Sequence, residues 1–456
     1  MGQVQPEPFR RPVFRRIFQD LKQIAQILSI TGPRRVGKTT LVRQLIQELL
    51  REGLDPSRIV YFSMDDPLLL RDPYRERFFD LCVRWLDTRT SPSDGPLYLF
   101  LDEIQRYEHW ELFLKKYHDL NFPFRFVISG SASSPIFKKS RESLLGRVKD
   151  FHVLPFSFKE FVLFQRRADE RVIACVSDIE AIGEQLRQEM LLACRNHPRL
   201  KMSLSLSGEV ESDLRHLLQR YLVDGGFPEV WQLPDLVRKQ EYLFDNQIQK
   251  VIFEDLVLAT EFRKPENIKA FYLSLIEQPG QELNLEKASG AIGVSRPMLE
   301  KYFPLLEMTD LVKRLPKFSK RVMKLRRGNV KCYLVDLALR NAVLKVGDRV
   351  LSDPTMLGYY AENLVFNTLR AWPGIVNLSF YREKGHEVDF VVTLSGGHYL
   401  PVEVKYRQTP DDFGGIKSFL ERYDQPLGLV VVREPVTLRE ANLVPIPLHH
   451  FLLIFG

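Results

Sequence analysis

The strongest constraint on the fold is the segment Gly32-Pro33-Arg34-Arg35-Val36-Gly37-Lys38-Thr39, which fits G-x-x-x-x-G-K-[ST]. A largely apolar run, Ile24–Ile30, precedes it, and Leu41–Leu50 follows with helical spacing. Strand, glycine turn and helix in that order make a phosphate cradle. The glycines let the backbone curl so that its N–H groups converge on phosphate. The helix beginning at Lys38 and Thr39 adds its positive dipole end. Lys38 brings a point charge to the outer phosphates, the Thr39 hydroxyl is a Mg²⁺ ligand, and Thr40 completes the nucleotide-contacting run.

A second element lies downstream. Leu97–Leu101 is a compact apolar strand ending in Asp102-Glu103. Beside a phosphate loop, Asp102 is expected in the Mg²⁺ shell and Glu103 as the base that orients and deprotonates water. Acidic residues at an exposed strand end are the plain alternative. Ile59–Met64 and Phe124–Ile128 are further buried-strand candidates. Strands separated by helices predict a parallel sheet covered on both faces. Phe124–Ile128 runs into Ser129-Gly-Ser131, where Ser129 or Ser131 is placed to sense the terminal phosphate. Arg147, in Leu145-Gly-Arg147, is a candidate arginine finger reaching a neighbouring subunit, with Arg141 as the competing choice.

Composition excludes several classes. With 45% hydrophobic and 27% charged residues the chain is neither disordered nor a coiled-coil rod. No apolar run reaches the roughly 18 residues of a membrane helix. The basic, Pro-rich Met1–Arg16 lacks the apolar core of a secretory signal. Cys82, Cys175, Cys194 and Cys332 are scattered, which fits a reducing cytoplasmic location rather than a disulfide framework.

The net charge is +7, yet Lys313–Lys331 alone holds nine Lys/Arg and no acid, so the remainder stands at 7 − 9 = −2. The basic character is a local patch, the footprint of a polyanion site. Residues 266–306 read as three short helices, with Ser295 capping the third and Pro297 in its first turn. Helices followed by a basic ribbon outline a winged helix-turn-helix. Its DNA-contacting candidates are Arg296 and Lys301 on the third helix and Lys313, Arg314, Lys317, Lys320, Arg321, Lys324, Arg326, Arg327 and Lys331 on the ribbon. Charges clustered on a wing point to phosphate contact rather than base reading. A solvated charged hairpin is the bland alternative.

The last third contains Gly385-His-Glu-Val-Asp389 and then Glu403-Val-Lys405. In a strand, residues two apart share a face, so Glu403 and Lys405 point the same way. A Ser395-Gly-Gly397 turn predicts a hairpin that brings Asp389 to Glu403 as a hard-cation site, with Lys405 orienting water. Glu362, on a helical stretch upstream, offers a third carboxylate. His386 is nearby, but a lone His is more often structural. Glu362, Asp389, Glu403 and Lys405, in that order, are similar to the PD-(D/E)XK restriction-endonuclease-like pattern. That resemblance implies a Mg²⁺-dependent nuclease fold, which is also used for binding alone.

The chain as a whole resembles the prokaryotic AAA-type ATPases that carry a C-terminal domain of long-unknown function. The resemblance rests on Gly32–Thr40, Leu101-Asp-Glu-Ile-Gln105 followed by Trp110, Ser129–Ala132, Leu145–Arg147 and Gly225-Gly-Phe-Pro228. It implies an α/β P-loop ATPase core over residues 1–165, a helical lid or linker over 166–262, a winged helix-turn-helix over 263–336 and a mixed α/β nuclease-like domain over 337–456. The charged helical stretch Arg166–Arg220 is longer than this pattern calls for. The expected cofactors are ATP and Mg²⁺. The expected partners are DNA and further copies of the chain in an ATP-dependent oligomer, a ring among the forms allowed, and no membrane. Two readings stay open: an ATPase with a metal-dependent DNA endonuclease, and an ATP-driven switch whose C-terminal domain only binds nucleic acid or protein.

Overall fold

The computed structural model describes residues 9–66, 83–84, 95–107, 109–131, 144–167, 169–196, 207–256, 264–277, 279–320, 330–409 and 411–456. These form two compact units. The first draws on Met1–Leu154, Gln249–Pro265 and Met308–Asp310, the second on Pro155–Ile248, Glu266–Glu307 and Leu311–Gly456.

The first unit is built on five strands: β1 (Ile27–Gly32), β2 (Ile59–Ser63), β3 (Leu97–Asp102), β4 (Phe124–Ser131) and β5 (Val148–His152). Every pairing is parallel, in the order β2-β3-β4-β1-β5. All six residues of β1 and of β3 are buried, as befits interior strands of a parallel sheet, with Ser29, Thr31 and Asp102 as their buried polar members. Helices Val13–Gln23, Lys38–Arg51 and Trp110–Asp119 are built around this sheet. Leu99, Leu101, Ile128, Trp110 and Leu114 pack into one core on the side of β3 and β4. Because β4 lies between β1 and β3, its C-terminal end meets both the phosphate loop and the acidic pair.

The second unit begins with four helices, Phe158–Gln165, Glu170–Asn196, Gly208–Asp224 and Leu236–Leu243. The first starts at a full capping box, Ser157 with Glu160. The segment expected as a lid thus lies, up to Ile248, in the compact body of this unit. Helices Pro265–Ile276, Leu285–Ile292 and Arg296–Met308 follow, then the antiparallel ribbon of β6 (Val312–Pro316) and β7 (Val330–Leu334). Helix Leu337–Leu344 starts on Asp336, whose carboxylate accepts from Ala338 N at 2.8 Å and from Gly226 N at 2.7 Å. A Cβ on Gly225 would lie 2.2 Å from Asp336 Oδ1, and one on Gly226 2.3 Å from Phe156 O. That crowding accounts for the paired glycines of Gly225-Gly-Phe-Pro228.

The remaining elements are helix Pro354–Ala371, strands β8 (Ile375–Glu383), β9 (His386–Leu394) and β10 (Tyr399–Lys405), helix Gly414–Tyr423, β11 (Gly428–Val432), β12 (Leu443–Pro447) and the C-terminal helix Leu448–Phe455. The sheet runs β12-β11-β10-β9-β8. β8, β9 and β10 are an antiparallel meander, and β10, β11 and β12 are parallel. Tyr333 of β7 stacks on Phe366 at 4.3 Å, which brings the ribbon onto helix Pro354–Ala371. Among the described residues, no helix is long and apolar enough to cross a membrane.

Candidate functional sites

The phosphate loop leaves β1 at Gly32, where φ is +141° and a Cβ would stand 1.9 Å from Val153 O. No side chain fits there, and Gly37 (φ +93°) likewise uses a backbone region open to glycine. Arg35 also takes positive φ, 64°, in the left-handed region. Lys38 is buried, and its Nζ donates to Gly32 O at 3.1 Å and Pro33 O at 2.7 Å. Val36 is buried under the loop, and Arg34 faces Glu254 at 3.6 Å.

Thr39 Oγ1 donates to Asp102 Oδ2 at 2.7 Å, and Tyr61 OH reaches the same oxygen at 3.3 Å. Ser129 Oγ donates to Asp102 Oδ1. One buried carboxylate therefore links the loop, β3 and β4. Its oxygens, with the Thr39 hydroxyl, are the hard donor set that Mg²⁺ takes. Glu103 adopts left-handed backbone (φ 51°), which turns its carboxylate off the strand, and Gln105 Nε2 donates to Glu103 Oε2 at 2.5 Å. Arg147 is engaged within its own chain, donating to Asp119 at 2.6 and 3.0 Å. Arg141 lies outside the described residues.

A parallel sheet of this order, with a phosphate loop after β1 and an acid pair after β3, defines a P-loop ATPase core. Residues 25–162 match the AAA domain family, so this part of the chain is an ATP-binding AAA ATPase domain. Residues 215–350 and 357–451 match two domains of unknown function (DUF8612 and DUF4143). The chain is 25% identical over 375 residues to the uncharacterized protein MJ1544 of Methanocaldococcus jannaschii, covering 80% of this chain and 72% of that one. It is 23% identical to MJ1637 of the same organism over 94% of this chain and 85% of that one. Among solved structures, AMPPCP-bound DnaA from Aquifex aeolicus is 14% identical, with 67% of this chain and 92% of that one covered at a TM-score of 0.27.

The second unit gathers the C-terminal carboxylates. The β9–β10 register pairs Phe390 with Val402, and Asp389 Oδ2 accepts from Val404 N at 2.8 Å, which sets Asp389 beside Glu403. Lys405 Nζ lies 3.0 Å from Glu403 Oε1. Glu362 comes in from helix Pro354–Ala371. Its Oε1 accepts from Tyr333 OH at 2.6 Å and from Lys331 Nζ at 3.1 Å. Burial pushes the Glu403 carboxyl up to about 8, with Asp389 adding to the rise, and the same causes push Glu362 up to about 7. Glu403 Oε2 is buried with no hydrogen-bond partner of good geometry among the described residues.

Lys331 departs from its expected place on the wing surface. It is buried, with Nζ 2.9 Å from Glu387, 3.1 Å from Glu362 and 3.7 Å from Asp389. Burial alone would favour the neutral amine, but these three carboxylates hold its pKa above the ordinary lysine range. It cannot contact DNA phosphate from there. Glu387, which also pairs with Arg382 at 2.6 Å, and Tyr333 are cluster members that the sequence reading did not single out. The signal for Lys331 was its position inside the apolar run Val330–Val335, apart from the other eight charges.

The other expected DNA contacts are mixed. Arg296 pairs with Glu286 at 2.8 Å and Glu300 at 2.9 Å, and Arg314 pairs with Glu307. Lys313 Nζ donates to Glu307 O at 2.5 Å. Lys320 lies over the Tyr423 ring at 4.9 Å, and Lys317 and Lys301 are exposed. Arg321, Lys324, Arg326 and Arg327 lie outside the described residues.

Proposed function

We propose that this chain is an ATP-hydrolysing protein that binds DNA and cuts it at a divalent-metal site built from Asp389, Glu403 and Glu362. The observation that carries this reading is the orphaned Glu403 Oε2 beside Asp389. Two neighbouring buried carboxylates repel unless a proton or a cation lies between them. The donor set fits Mg²⁺ or Mn²⁺: all ligands are oxygens, on the rigid strands β9 and β10 with Glu362 from the adjoining helix. A bound ion of this kind supplies Lewis-acid activation of phosphate and a more acidic water. The helix–meander–helix–strand order over residues 354–432 supports the restriction-endonuclease-like resemblance.

The chain's own groups divide the work. Asp389 and Glu403 hold the ion, and Glu362 steadies it. Lys405, tethered 3.0 Å from Glu403, orients water and carries positive charge toward a scissile phosphate. In the ATPase domain Lys38 holds the outer phosphates of ATP, Thr39 and Asp102 share the Mg²⁺ shell, Ser129 couples the terminal phosphate to Asp102, and Glu103 takes the proton of the attacking water. Arg147 acts across a subunit boundary once its pair with Asp119 opens.

Lys331 favours a second reading. An ammonium already seated among Glu362, Glu387 and Asp389 suits a domain kept as an ATP-controlled binding platform that does not cut. The test is incubation with single-stranded, duplex and branched DNA in Mg²⁺ or Mn²⁺. Cleavage that disappears in Asp389→Asn supports the nuclease. Retention of DNA without cleavage by wild type supports the platform.

A further inference from the structure

A separate cluster lies away from both sites. Glu211 stands in the first turns of helix Gly208–Asp224, and His449 and His450 in the first turn of the C-terminal helix. His449 Nε2 is 2.7 Å from Glu211 Oε1, and His450 Nε2 is 2.9 Å from Glu211 Oε2. All three donor atoms lie within 4.8 Å of one another. Both histidines are buried, at 1% and 5% exposure.

Two features set this cluster apart from a chance contact. Consecutive residues of a helix diverge by about 100°, yet both imidazoles turn their Nε2 atoms onto one carboxylate. The remaining residues of Leu448–Phe455 are leucine, isoleucine and phenylalanine, all buried, so the two histidines are its only polar side chains. Polar groups are costly to bury in such a helix unless they bind something. The surrounding charge is nearly balanced. Arg215 contacts Glu211 Oε1 at 3.1 Å and is held from its other side by Glu434.

We propose that Glu211, His449 and His450 form a binding site for one divalent transition-metal ion of the zinc class, which pins the C-terminal helix to helix Gly208–Asp224. Two imidazoles and a carboxylate select zinc-like ions over Mg²⁺ or Ca²⁺. Bonds of about 2.0–2.1 Å in tetrahedral geometry need ligand atoms about 3.3 Å apart, so the two contacts must open by about half an ångström. Three protein ligands leave one position for a fourth donor. The site is independent of the nuclease reading, because it shares no residue with the carboxylate cluster.

The full chain, purified without a metal-affinity tag, is stripped with chelator and titrated with Zn²⁺ and with Co²⁺ as a coloured substitute. We expect one ion per chain, a rise in melting temperature with Zn²⁺, and a visible Co²⁺ absorption band. The band should vanish in His450→Gln and persist in Asp389→Asn. Zinc-edge X-ray absorption of the wild type should show imidazole scattering, a readout that stands even if the variant fails to fold. No band, no melting shift and no imidazole scattering would mean that the trio is a hydrogen-bonded clasp, and would overturn the proposal. A band that survives His450→Gln but is lost in Asp389→Asn would also overturn it, by placing the ion in the carboxylate cluster.

Discussion

Replacing Lys331 with methionine keeps the length of its stem and removes the charge. The lysine serves three carboxylates, at 2.9, 3.1 and 3.7 Å. Removing one side of a buried ion pair typically costs about 3–5 kcal/mol. Here no carboxylate loses every partner. Glu387 keeps Arg382, Glu362 keeps the Tyr333 hydroxyl, and Asp389 keeps the Val404 amide. That places the loss at the lower end, about 3 kcal/mol at pH 8. Lower pH should shrink it. An acid whose pKa is raised in the folded state binds more protons folded than unfolded, so falling pH favours folding between the unfolded and folded pKa values. For Glu362 that window runs from 4.5 to about 7 already in the wild type, and losing the lysine widens it upward. Protonated Glu362 then replaces the missing ammonium, and Mn²⁺ should replace it at pH 8. The assay is urea unfolding of wild type and Lys331→Met at pH 6 and pH 8, with and without Mn²⁺. Equal stability of the two proteins at both pH values, together with weakened DNA binding by the variant, would refute the buried placement and return Lys331 to the wing surface.

Three further outcomes are expected. Lys38→Ala should lose ATP binding, whereas Glu103→Gln should keep binding and lose turnover because Asp102 and Thr39 still hold the metal shell; equilibrium nucleotide binding and phosphate release measure the two effects. Gly32→Ala should lower stability by about 2–4 kcal/mol, since its Cβ meets Val153 O at 1.9 Å on a positive-φ backbone, and thermal unfolding reads this directly. Alanine at Arg326 and Arg327 should weaken binding to all DNA sequences alike and flatten the salt dependence by roughly one unit of slope per lost phosphate contact; sequence-selective loss in a binding titration would point to base reading instead.

What was legible in the sequence was what local order encodes. The phosphate loop, the acid pair after β3 and the Asp389–Glu403 hairpin depend on neighbours in the chain and on strand alternation, and the structure assembles each of them. The charge run Lys313–Lys331 misled at its last member. Charge density says nothing of the side to which a strand residue turns, and the partners of Lys331 come from Glu362, Glu387 and Asp389, far along the chain. Arg147 shows the same limit, because its partner Asp119 belongs to helix Trp110–Asp119, far back along the chain. The trio of Glu211, His449 and His450 spans more than half the chain and has no linear spacing to betray it. Asp336 has no linear signal either, although the glycines at 225 and 226 let their backbone approach it and Phe156.

The central claim is that one chain carries two separable chemistries, ATP turnover and metal-dependent DNA cleavage. The direct measurement is ATP hydrolysis and DNA cleavage, side by side, for wild type, Glu103→Gln and Asp389→Asn in Mg²⁺ or Mn²⁺. Asp389→Asn is expected to hydrolyse ATP at the wild-type rate and to leave DNA intact under conditions where wild type cuts it, while Glu103→Gln loses ATP turnover. Wild type that hydrolyses ATP but cuts no DNA form with either metal would contradict the account.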